Sequence, residues 1–353
     1  MAYILNDPTI FNMDRRPSIA RGKLLNPFDI YKLSVGNNIF DGDFLPVRWA
    51  ISKGIISVQN SRNMIDAASV GNIKYLQYLR NNNVRWDKTT TREAAARGHL
   101  SILQYLHEEG CPWNKQTTHA AAENGRLSIL VYAHEQGCSW NEETTYAAAR
   151  NGHLDCLIYA HEQDCPWNEI TCYWAARNGH LVCLIYAHEQ GCPWDKWICT
   201  EAAGRGHLDC LIYAHENGCL WDIWTCSYAA SDGHLVCLIY AHEQGCEWDE
   251  DTCSWAATGG HLDCLKYTHE EGCPWDQGTC SAAALNGHLD CLIYAHEEGC
   301  PWDGDTCSWA AEGGKLDCLR YAIENGCPTD DIRCEYIDNN DILTYLSDIG
   351  LCL

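Results

Sequence analysis

A cysteine, a histidine and two further cysteines recur through this chain in the spacing C-x4-H-x3-C-x6-C, for example Cys156, His161, Cys165 and Cys172. Thiolate and imidazole are the ligands zinc prefers, and four of them close a tetrahedral shell. An ion held there would couple its binding energy to folding. The set is complete six times, from Cys156 through Cys307, among 24 cysteines in 353 residues. Reduced cysteine is also a small hydrophobe suited to a packed interior. Paired cysteines can form disulfides as well, which leaves three states open. Geometry weighs against the metal: the first cysteine and the histidine are five residues apart on one helix, about 140° around its axis. His107-Cys111 and His134-Cys138 occur without the other two ligands, and Cys318, Cys327 and Cys334 have Ile323 where the histidine should be. Reduced core thiols are therefore the expected state, with no resident cofactor; the zinc set is the alternative.

The elements that position these residues follow from a period. Glycine returns every 27 residues from Gly71 to Gly314, and the next step reaches Asp341. A fixed period of this length is the signature of stacked structural repeats. In the repeat Trp248–Pro274, numbered 1 to 27, Asp249 stands where its carboxylate can cap a first short helix. Gly259-Gly260 break that helix. A second, HLDCLKYTHEE, has Leu262, Leu265 and His269 on one face with Cys264 and Thr268 beside it,. Gly272 ends it, because glycine accepts the left-handed cap conformation. One helical hairpin cannot bury its own apolar face, but a stack of them can. Eleven repeats are expected, starting at residues 59, 86, 113 and so on to 329, with irregular first and last members. Residues 59–353 should form this stack, leaving 1–58 as an N-terminal cap or tail.

The phrase AA-x-x-GHL, as in Ala175-Ala176 and Gly179-His180-Leu181, followed by CLIYAHEQGCPWD, resembles the ankyrin repeat. The resemblance spans about residues 59–346. It implies an all-α, ankyrin-like solenoid of helix-turn-helix repeats. The projecting hairpins should be reduced, because only two residues separate Trp-Asp from the Thr-Cys of the first helix. Within that family the short GHL-D-CL-x-YAHE phrase resembles repeat proteins of giant DNA viruses of amoebae. The position-14 histidines, such as His99, His153 and His180, resemble the family histidine that braces the turn; Arg126 and Lys315 replace it in two repeats. The position-22 histidines are expected as neutral core rings donating N–H to a backbone carbonyl. The tryptophans that open the repeats, Trp86 through Trp302, are expected as a buried ladder, where losing one costs about 3–5 kcal/mol.

No dinucleotide loop, P-loop, HExxH or GxSxG motif occurs, and an enzyme is not expected. Comparing repeats, positions 3, 4, 7, 8, 11 and 12 vary most. The ankyrin resemblance places them on the concave recognition face, which makes a protein-binding scaffold the expected function. Tyr173, Trp174, Trp197, Trp224, Tyr228, Trp255 and Trp309 are its candidate anchors, since large aromatics dominate interface energetics. Glu201, with Lys196, Arg205 and Asp232, would add selectivity. The net charge is −24; residues 1–62 hold eight basic and five acidic residues, and the remainder 16 basic and 43 acidic. That balance disfavours nucleic acid and anionic membranes and favours a partner with a basic patch. A monomer in the cytoplasm is expected, there being no 18-residue apolar run or signal-peptide pattern. A further alternative is a ubiquitin-ligase adaptor using LLNPFDIYKL as an F-box-like helix.

Overall fold

A computed structural model describes residues 60–352. The N-terminal cap and the F-box-like helix expected before them lie outside the described residues. Among the described residues there are 21 α-helices, one 3-10 turn and no strand. They divide into two compact units, the first ending at Thr144 and the second starting at Thr145.

Each compact unit is built from helical hairpins of one pattern. In the first unit, Lys88–Arg97 is followed by Leu100–Glu108, and Lys115–Glu123 by Leu127–Glu135. In the second, Glu169–Arg177 pairs with Leu181–Glu189, Trp197–Gly204 with Leu208–Glu216, and Ile223–Ser231 with Leu235–Glu243. Glu250–Gly259 with Leu262–Glu270, Gln277–Asn286 with Leu289–Glu297, and Gly304–Glu312 with Leu316–Glu324 continue it. First helices pack on first helices and second on second, so each unit is a two-row stack, the expected solenoid arrangement. The links from one hairpin to the next carry no strand, in line with reduced hairpins.

Local chemistry sets the helix ends. Asp87, Asn114, Asn168, Asp222, Asp276 and Asp303 each accept from the amide two residues on, an N-cap bond,. Asp249 departs from this expectation: it has the cap backbone conformation, but its side chain makes no cap bond. The second helices close as expected. Gly245 (φ 86°) reverses the chain and lets the Cys246 amide reach the Ala241 carbonyl at 2.9 Å,.

Alanine pairs such as Ala229-Ala230 and Ala256-Ala257 are fully buried between first helices, where small side chains allow close approach. The buried stripe of the second helix differs from expectation. Cys264, Leu265 and Thr268 are the buried residues, while Leu262 and His269 are half-buried. Neighbouring second helices flank this helix on both sides. Positions 17, 18 and 21 fall within about 100° of arc by the helical repeat and face inward; positions 22 and 15 lie about 40° and 60° beyond that arc.

The last described repeat is irregular. The turn Cys334–Tyr336 stands where a first helix would be, and Asn340–Asp348 closes the stack, capped by Asn339 through two amides. A disulfide joins Cys334 to Cys352. Cys334, expected as a reduced core thiol, is instead half-exposed and bonded, because no first helix remains here to enclose it.

Candidate functional site: the outward face of the first helices

The cysteine–histidine constellation does not converge. Among the described residues no three His, Cys, Asp or Glu side chains gather as a metal site would require. His161, the expected fourth ligand, lies flat on Trp167 with ring centroids 3.9 Å apart, and its Nδ1 shares a 2.9 Å hydrogen bond with the Tyr186 hydroxyl. Its ring is committed to packing. The same arrangement recurs at His107, His188, His242 and His269, with centroid distances of 3.7–4.0 Å and His–Tyr hydrogen bonds of 2.9–3.1 Å. These five position-22 histidines are thus half-buried junction residues bonded to a tyrosine hydroxyl of the next repeat. They are not core rings bonded to a carbonyl. The tryptophans are also half-buried, which lowers the expected cost of losing one.

The cysteines divide by role. Each from Cys111 to Cys327 is buried and outside any disulfide. The position-26 thiols act as clips: Cys192 donates to the Asn168 carbonyl at 3.2 Å, and Cys219, Cys273 and Cys300 reach Asp195, Asp249 and Asp276 at 3.1 Å. Each clip ties the end of a repeat to its own start. Its signal in the sequence was a cysteine retained where positions 6 and 17 change. Cys172 packs towards Cys192 of its own repeat, rather than towards Cys165, its neighbour in the expected zinc set. Burial pushes the Cys156 thiol up to about 11 and Cys210 to about 12, so these are poor nucleophiles near neutrality,. Nothing in the structure explains why cysteines at positions 17 and 6 come and go together.

The position-14 histidines do brace the turn, through the neighbouring repeat. Gly260 is left-handed (φ 73°), and a Cβ there would come within 2.3 Å of the His288 ring. Arg126 and Lys315 lay their stems over Gly98 and Gly287 in the same way. Burial holds His180 and His234 below the usual histidine range. Arg150, His153 and His207 face the first, and Asp232, His207, His261 and Arg205 the second. A histidine depressed in the fold is protonated more readily in the unfolded chain. Its contribution is complete above the unfolded value of about 6.5 and is lost as pH falls towards the folded value. Urea midpoints measured across pH are therefore expected to decline below about 6.5, and the double variant His180→Gln/His234→Gln to flatten that slope.

The first helices present a different surface. Trp197, Trp224, Tyr228, Trp255 and Trp309 are 38–44% exposed, unusual for residues of this size,. They stand at positions 4 and 8, one helical turn apart on the same face. Four of them occupy three consecutive repeats, from Trp197 to Trp255. Trp309 lies two repeats further on, past a repeat that has Gly278 and Ala282 at the same positions. Trp224 and Tyr228 meet edge to face at 6.3 Å, and Tyr228 rests on Gly204.

Tyr173 and Trp174 are placed otherwise. Both are half-buried within a charged network: Arg150 lies over Trp174 at 4.4 Å, and Arg177 and the Tyr173 hydroxyl both donate to Glu201. Arg205 approaches Glu201 at 4.0 Å and Asp232 at 3.9 Å. Glu201 is therefore a bridging residue within the face. A groove of about 440 Å³ runs along this surface, lined by Arg177, Glu201, Arg205, Tyr228, Asp232 and Trp255 among others. A larger cleft in the first compact unit, about 610 Å³, has no aromatic lining, and its Arg62–Asp66 and Arg97–Glu93 pairs already satisfy one another.

These features define a helical-hairpin repeat protein with an aromatic face on its first helices. Among solved structures, 214 chains match. One is the human ASB11 ankyrin repeat domain, 16% identical, covering 44% of this chain and 84% of that chain with a TM-score of 0.39. No family model matches the chain. No curated protein matches it.

Proposed function

We propose that this chain is a protein-binding scaffold whose first-helix face captures a partner through exposed aromatic side chains. The observation that carries this reading is the row Trp197, Trp224, Tyr228 and Trp255, outward-facing in three consecutive repeats. Keeping four large rings in water has no folding benefit, and rings of this type are the usual anchors of an interface. Catalysis has no comparable support: the sequence carries no catalytic motif, and burial raises the Cys156 and Cys210 thiols,. No helix among the described residues is long and apolar enough to cross a membrane. The buried thiols from Cys111 to Cys327 fit a reducing compartment such as the cytoplasm, where the Cys334–Cys352 bond would open,. If the viral likeness of the repeat phrase reflects origin, the partner is a host protein.

The test is capture from cell extract by the full chain and by the triple variant Trp197→Ala/Trp224→Ala/Trp255→Ala. All three positions are at the surface, so the variant is expected to keep its helical circular dichroism. It should lose at least about tenfold in recovery of the specific partner, as loss of hot-spot aromatics does. Equal recovery of every captured protein by the two chains would overturn the proposal.

A further inference from the structure

The charges along this face are unevenly satisfied. At its N-terminal end they are matched: Arg177 bonds Glu201, Arg205 lies between Glu201 and Asp232, and Lys196 pairs with Asp222 at 2.6 Å. From Trp224 to Trp255 the balance fails. Asp249, Glu250 and Asp251 open the helix Glu250–Gly259, and none forms an ion pair with Lys or Arg among the described residues. The buried Oδ1 of Asp249 has no hydrogen-bond partner. Besides partial burial, the carboxylates of Asp249, Glu250 and Asp276 hold the exposed Asp251 above the usual aspartate range.

Asp251 is placed among rings. It occupies position 4, where the preceding repeat carries Trp224, and it lies one helical turn from Trp255 on the same outward face,. By repeat position, an uncompensated carboxylate falls one turn from Trp255 on its own helix and one repeat on from Trp224,. Indole faces attract cations, and an unpaired carboxylate attracts them more strongly.

We propose that the stretch from Trp224 to Trp255 receives a lysine- or arginine-bearing segment of the partner, its cation seated at Asp251 between the two indoles. This deepens, and rests on, the reading of the first-helix face as the binding surface. It assigns the partner a chemistry: a basic, extended segment with an unpaired cationic side chain. The paired charges around Arg177 and Arg205 place the start of the basic stretch at Trp224, since a cation closer to those arginines would be repelled.

Three synthetic peptides of equal length test this by fluorescence anisotropy against the full chain: one arginine-rich with glycine and serine, one with glutamate for arginine, and one neutral and apolar. The arginine peptide is expected to bind best. Asp251→Lys should weaken it by about tenfold or more, and Trp224→Ala/Trp255→Ala by about three- to tenfold. Glu297→Lys, an equal charge change on an exposed second-helix position, should leave affinity within about twofold. If Glu297→Lys weakens binding as much as Asp251→Lys, overall acidity attracts the peptide and the assigned seat is wrong. If the apolar peptide binds through the tryptophans and the arginine peptide does not, the assigned chemistry fails while the scaffold reading stands. If no peptide binds, the inference fails, and the capture experiment with the triple variant still judges the scaffold reading separately. Circular dichroism of each variant separates loss of the seat from loss of the fold.

Discussion

Leu211→Ala is expected to lower the unfolding free energy by about 2–5 kcal/mol, and Trp221→Ala, in the next repeat, by clearly less. Leu211 is wholly enclosed, and its removal leaves a cavity between helices that are themselves held by neighbours on both sides. Trp221 is larger but half-exposed, and it keeps one face on His215 at 3.8 Å. Much of its area stays in water in the folded chain, so about 1–3 kcal/mol is the reasonable expectation from the apolar area it buries. Urea denaturation of the two variants measures both values. A tryptophan loss that exceeds the leucine loss would show that stacking at the junctions, rather than the leucine row, dominates cohesion.

The second large effect is expected at the end of the chain. The Cys334–Cys352 disulfide closes a loop of sequence separation 18 around the terminal helix Asn340–Asp348. Loop-closure entropy for a span of that size is about 3 kcal/mol. Reduction, or Cys334→Ser/Cys352→Ser, should therefore loosen this helix first, since it has neighbours on one side only. Hydrogen exchange of residues 340–348 should rise by about a hundredfold under a dithiol reductant, as about 3 kcal/mol of local opening implies. Exchange in Leu208–Glu216 should stay unchanged. Equal acceleration in both helices would show that the staple supports the whole stack.

Much of the fold was written in the period. Gly260 and its counterparts every 27 residues located the turns, and alanine pairs such as Ala229-Ala230 located the inner contact of the first helices. The outward aromatics were legible as well, because Trp197, Trp224 and Trp255 fall at positions where repeats disagree. What a one-dimensional reading missed was which repeat a side chain serves. His161 lies near cysteines in sequence, whereas its partners, Trp167 and Tyr186, belong to the following repeat. Cys165 and Cys172 likewise lie close in sequence, although Cys172 faces Cys192. Trp174 looked like Trp255 by position, but Arg150 and Arg177 cover it, and only a stacked structure brings Arg150 there. Asp249 looked like every other cap, and its failure to cap is a matter of ångströms that no spacing encodes.

The sameness of the junctions has a cost. His188 meets Trp194 and Tyr213 just as His242 meets Trp248 and Tyr267, so one joint carries no label to tell it from another. A folding chain can therefore mate a hairpin with the wrong neighbour, one period out of phase, make a sound joint, and strand the hairpin between. Such slips are a known hazard of tandem arrays. The ion pair Arg177–Glu201 breaks the sameness, because the residue at the position of Glu201 is Tyr228 in the next repeat and Trp255 in the one after. Surface pairs of this kind add little to stability. Here Arg177–Glu201 would act as a registration mark, telling two otherwise interchangeable hairpins which of their copies comes next.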